Sequence, residues 1–122
     1  MKTLVALLML FALGAPVSAA ELRKGAVVQV KPNAIWFEEA KNLTRWQELK
    51  TSGDAAALGK YEDDMRAERD AWTFVNRLTV KVLAVDPARR QVHVEMMTRG
   101  RMHGTRWFLD TGTIVSRRGP AH

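Results

Sequence analysis

The apolar positions of this chain change period several times, and each change marks an element. Valines at 27, 28 and 30 form a β-branched run that Pro32-Asn33 interrupts, and Ala34–Phe37 continues extended, which predicts two short strands around a turn. From Glu38 the period becomes helical. Leu43, Trp46 and Leu49 recur every third residue while Glu39, Lys41, Arg45 and Glu48 stay polar, so a helix is expected over about 38–50. Thr51-Ser52-Gly53 ends it, because glycine tolerates the left-handed cap, and Asp54 is placed to accept the first N–H groups of a second helix over about 55–72. Leu58, Tyr61, Met65 and Trp72 share a stripe of that helix, with Glu68 as the polar break, and Arg66 has Glu62 and Asp70 four residues to either side.

After Trp72 the period falls to two. Leu78, Val80, Val82 and Ala84 alternate with Thr79, Lys81 and Leu83, and Asp86-Pro87-Ala88-Arg89-Arg90 is a turn. The chain returns with Val92, Val94 and Met96 on one face and Gln91, His93 and Glu95 on the other, which makes a β-hairpin. Keeping both apolar faces together pairs Ala84 with Val92 and Val82 with Val94, and so requires an odd number of turn residues. Thr98–Gly104 reads as a loop, Thr105–Leu109 as a strand with Trp107 and Leu109 on one face, and Asp110-Thr111-Gly112 as a turn into a short last strand at 113–116.

This order of strand, helical excursion, hairpin, strand, tight turn and short strand resembles the SH3-like small barrels of bacterial envelope proteins. The resemblance covers residues 25–116 and implies an α+β domain: a small antiparallel β-barrel whose first long loop, over about 38–72, is filled by two helices. An OB-like barrel or another α+β roll accommodates the same order.

The N-terminus adds a destination. Lys2 precedes an unbroken apolar run, Leu4–Leu13, which Gly14-Ala15-Pro16 breaks before the small residues Val17-Ser18-Ala19-Ala20. A charged start, a short apolar core and a small-residue cleavage site make a signal peptide over 1–20, and the run falls short of the ~20 residues a membrane span needs. Cleavage leaves one domain over 21–116, a flexible tail over 117–122 and no transmembrane segment, and the expected location is the periplasm. The chain has no cysteine, which excludes a disulfide scaffold, a thiol nucleophile and a thiolate metal site. Its net charge of +6 is uneven: residues 38–70 carry nine acidic against six basic side chains, and 71–122 nine basic against three acidic. A basic half suits an acidic partner, and an exported chain meets envelope protein, peptide or anionic glycan rather than nucleic acid.

Candidate chemistry is sparse. Trp107-Phe108-Leu109-Asp110-Thr111-Gly112 carries the local signature of aspartic proteases, which need two carboxylates sharing a proton. There is one triplet, with ten residues after it, so Asp110 is read as a turn residue that bonds the backbone ahead of it, Gly112 supplying a positive φ if the turn needs one. His93, His103 and His122 are scattered and no metal or cofactor is expected. No side chain is assigned a catalytic role. The candidate ligand-binding residues are Trp36, Trp72 and Trp107, as aromatics of a groove between barrel and helices, and Arg99, Arg101 and His103 in a glycine-bracketed loop. The expected function is a non-catalytic, exported interaction module of the envelope that binds a peptide, peptidoglycan fragment or protein partner. The alternative is a small periplasmic inhibitor or immunity-type protein that blocks an enzyme with the Thr98–Gly104 loop. A hydrolase using Asp110 or Glu68 ranks behind both.

Overall fold

The computed structural model describes residues 22–115; the expected signal peptide over 1–20 and the expected tail over 117–122 fall outside the described residues. Among the described residues, seven strands and two helices follow one another as β1 (Val27–Val30), β2 (Ile35–Phe37), α1 (Ala40–Ser52), α2 (Ala55–Ala67), β3 (Ala71–Thr73), β4 (Leu78–Asp86), β5 (Gln91–Met96), β6 (Arg106–Asp110) and β7 (Ile114–Val115). A 3-10 turn over Thr111–Thr113 joins the last two strands. The strands form one antiparallel sheet in the order β3-β2-β6-β5-β4-β1-β7, so the fold is α+β. The sheet is not closed into a barrel, and β3 and β7 are its edges.

Alternation along the strands sorts side chains to two faces. One face buries Val28, Val30, Trp36, Val80, Val82, Val92, Val94, Met96, Trp107, Leu109 and Ile114 in the main core. The other carries a second cluster under the helices, where Ile35, Phe37 and Ala71 meet Leu43 and Trp46 of α1. β2 is therefore buried on both faces: Trp36 points into the main core and its neighbours point toward the helices. Both clusters, with the side chains packed on them, come from residues 22–114.

The first helix sits close to its expected span and ends as expected, with Gly53 at φ 80°. The second stops five residues early. Arg69 turns left-handed (φ 64°) and the Asp70 N–H donates back to the Met65 carbonyl, after which Ala71–Thr73 pairs with β2 as Trp36↔Trp72. The helical period through Trp72 is overridden by that pairing, and Glu68 is an exposed helix cap rather than a member of an apolar stripe. The two expected ion pairs of Arg66 are also replaced: Arg66 reaches Asp63 and Thr73, and Glu62 accepts the Trp46 indole N–H at 2.8 Å. In the hairpin Val82 faces Val94 as expected, but Ala84 faces His93 and Val85 faces Val92. A bulge between Val82 and Ala84 adds one residue to β4, so a turn of even length, with Asp86 opposite Gln91, still keeps Val85 against the core.

Candidate functional site

The helical excursion meets the sheet in two ways. The Leu43–Trp46 stripe of α1 is apolar and packs on the second cluster. The neighbouring stripe, Thr44, Gln47 and Thr51 at i, i+3 and i+7, faces the hairpin turn and the end of β6, and its contacts are polar. The Gln47 amide donates to Asp110 Oδ1 at 2.7 Å and to the Arg90 carbonyl at 3.1 Å. The Gln91 amide donates to Thr44 Oγ1 at 2.8 Å and to Gln47 Oε1 at 3.1 Å. Gln91 and Asp110 are 5% and 6% exposed, the two buried polar residues of the described chain. All buried side-chain polar atoms among the described residues are hydrogen-bonded, so the seam is fully satisfied.

Asp110 is the hub. Its Oδ2 accepts the Gly112 N–H at 2.8 Å, which caps the 3-10 turn, and its carbonyl accepts the Thr113 hydroxyl at 2.7 Å. The Arg90 guanidinium stands 3.8 Å from Oδ1, and Arg90, at φ 55°, offers its carbonyl to the Thr111 N–H as well. The Asp-Thr-Gly triplet is thus a turn, but its glycine acts by a different route from the one expected. Gly112 does not have a positive φ; a Cβ there would lie 2.8 Å from Asp110 Oδ2, so the glycine clears space for the carboxylate.

Between α1 and the hairpin lies an open cleft of about 690 Å3 lined by Thr44, Gln47, Glu48, Thr51, Arg89 and Gln91. A smaller hollow of about 330 Å3 adjoins it and shares Gln47, Thr51 and Arg89, adding Lys50, Arg90 and Asp110. Lys50, Arg89 and Arg90 bring positive charge to this rim, and Glu48 adds a carboxylate that is paired with Arg45. Arg89 is held 3.8 Å from Asp86, and Lys50 lies 4.9 Å above the Trp46 ring. The arrangement offers the Thr44 and Thr51 hydroxyls and three cations, while the N–H groups of both glutamine amides are used within the seam. Its one inner carboxylate, Asp110, already has both oxygens engaged. No group of three or more His, Cys, Asp or Glu among the described residues can hold a metal ion.

The expected binding residues lie elsewhere. Trp36 and Trp107 are core side chains, packed edge-to-face at 6.1 Å and flanked by Phe74, and present no surface to a ligand. Trp72, on edge strand β3, is 39% exposed and stays accessible. Arg99, Arg101 and His103 are exposed in the β5–β6 loop, at the opposite end of β5 and β6 from the cleft. A groove between sheet and helices does exist, but it is lined by polar side chains and not by tryptophans. The polar row Gln91, His93 and Glu95 faces the helix side: Gln91 is buried, and His93 stacks on Phe108 at 4.1 Å with the rings within 5° of parallel. Burial, and then the nearby Arg106 charge, pushes the His93 pKa below its usual value. The sequence signal for the cleft was the Thr44-Gln47-Thr51 stripe beside the apolar one, together with a turn Asp on a distant strand. No family profile, characterised protein or solved structure matches the chain.

Proposed function

We propose that this chain is an exported, non-catalytic interaction module of the cell envelope that binds a carboxylate-bearing ligand, a peptide or a peptidoglycan fragment, between α1 and the β4–β5 hairpin. The observation that carries the reading is the cleft itself. Its volume, about 690 Å3, suits a small ligand, its walls carry the Thr44 and Thr51 hydroxyls, and Lys50, Arg89 and Arg90 stand on one rim. Arginine guanidinium groups pair with carboxylates in forked geometry, and the threonine hydroxyls suit a peptide backbone or sugar. The SH3-like barrel belongs to the same proposal. The segment order β7-β1-β4-β5-β6, with the long excursion between β1 and β4, supports it.

The test is an amide-shift titration of residues 21–122 with a peptidoglycan-derived muropeptide and with the same fragment amidated at its carboxylates. The acid form is expected to move resonances of α1 and of 86–91, and Arg89→Ala to weaken binding about tenfold or more. Absence of shifts in α1 and the hairpin, or equal binding of acid and amide forms, overturns the reading.

A further inference from the structure

The helices and the cleft occupy one side of the sheet's outer surface. A different surface forms where β1, β4 and β5 leave the sheet. Val30 pairs with Leu78, Val80 with Met96, and Lys81 with Glu95, and the Met97 N–H continues the ladder to the Thr79 carbonyl at 2.9 Å. One residue past the Val30–Leu78 pair this register sets Lys31 opposite Arg77, and Arg99 lies in the bend that follows the Met97–Thr79 bond. Paired backbones lie about 5 Å apart, well within the Debye length of about 10 Å at 0.1 M salt, so the charges of Lys31 and Arg77 act together. The Asn33 N–H donates to the Phe74 carbonyl at 2.8 Å, and the Thr98 hydroxyl accepts from the Thr79 N–H at 2.8 Å, so segments 31–34, 74–77 and 97–105 converge.

These three segments contain Lys31, Arg77, Arg99 and Arg101, all exposed, and neither Asp nor Glu. None of the four makes an ion pair among the described residues, whereas the cations of α1, α2 and the hairpin turn mostly do. Two apolar side chains stand out among them: Val75 is 72% exposed and Met97 37%. Four cations gathered without a counter-acid repel one another, and an anionic surface relieves that repulsion. Protruding apolar side chains among cations are the composition of an interfacial membrane contact, in which basic groups meet headgroup phosphates and apolar groups enter the boundary layer. A soluble polyanion offers no such layer to Val75 and Met97.

We infer that this face docks the protein on an anionic phospholipid surface, with Lys31, Arg77, Arg99 and Arg101 on the headgroups and Val75 and Met97 in the boundary layer. The surface is separate from the cleft and does not depend on what the cleft binds. The experiment is co-sedimentation of residues 21–122 with vesicles of phosphatidylcholine alone and with about one-third phosphatidylglycerol, at low and high salt. Binding is expected to the anionic vesicles, lost at high salt. Each cation contributes about fivefold to partitioning, so Arg77→Ala/Arg99→Ala lowers it about 30-fold. Val75→Ser/Met97→Ser weakens binding at unchanged charge, and Arg89→Ala, in the cleft, leaves it intact. All these side chains are exposed, and an unchanged melting curve verifies each fold. Absence of binding to anionic vesicles, or binding insensitive to the arginine pair, overturns the proposal. So does capture by heparin, used as a soluble polyanion, that Arg77→Ala/Arg99→Ala abolishes, when Val75→Ser/Met97→Ser leaves vesicle binding unchanged.

Discussion

Replacing Gln47 by Ala tests whether the polar seam holds α1 to the sheet. Gln47 donates to the Arg90 carbonyl and to Asp110 Oδ1, and accepts from Gln91. Two of these partners are insured: the Arg90 carbonyl keeps the Thr111 N–H, and the Gln91 amide keeps Thr44. Asp110 is not. Its side chain is 8% exposed, and Oδ1 is left with Arg90 at 3.8 Å. Losing a hydrogen bond to a charged, buried acceptor costs about 1.5–3 kcal/mol, and the better helix propensity of Ala returns a few tenths. The expected loss is about 2–3 kcal/mol, or roughly 10–20 °C in melting temperature for a domain of this size. Urea unfolding followed by tryptophan emission measures it. In a double-mutant cycle with Asp110→Asn the coupling should be about 1–2 kcal/mol. A loss under about 0.5 kcal/mol, with no coupling, would mean that cleft water replaces the amide and that the seam does not anchor the helix.

The role of Gly112 predicts a contrast between glycines. Gly112→Ala forces the Asp110 carboxylate away from the Gly112 N–H and should cost about 1–3 kcal/mol, whereas Gly59→Ala, in α2 with open space at its Cβ, should gain about 0.5–1 kcal/mol; thermal unfolding of the two variants decides it. For His93 the folded pKa lies below the unfolded one, so the native state binds fewer protons. Stability is therefore full above the unfolded value near 6.5, falls as pH drops through the interval between the two pKa values, and levels off below the folded one. His93→Gln should flatten that segment of the pH–stability curve, and an unchanged slope would refute the assignment.

The two helices and the hairpin were legible because long runs of one period leave little choice of face. What failed to show in the sequence shares one cause: contacts between distant segments. β3 is three residues that become a strand only by pairing with β2, across both helices, so the helical period of 55–72 gave no sign of it. The bulge in β4 is set by the core's claim on Val85, which alternation alone does not express. The cleft was the least legible feature. Gln47, Gln91 and Asp110 come from a helix, a strand start and a strand end, and each alone has the composition of surface. Trp36 and Trp107 misled in the opposite sense, since an aromatic on a strand face can belong to a core or a groove, and here both belong to the core.

The two ways α1 is attached explain why the cleft stays open. At Leu43 and Trp46 the helix is fixed by apolar burial, reinforced by the Trp46–Glu62 bond to α2 and by the Tyr61 hydroxyl donating to the Asn42 carbonyl at 3.1 Å. These contacts set the helix's distance from the sheet. On the adjacent stripe, side chains as long as Gln47 are needed to span from α1 to Asp110 and to the turn. Closing the gap further would desolvate Glu48 and Arg89, which line it and whose ion pairs, to Arg45 and Asp86, lie on the exposed surface and gain little. The apolar anchor thus fixes the wall while the polar seam keeps the mouth hydrated. The proposed polar ligand would enter by replacing water and would require no movement of the helix.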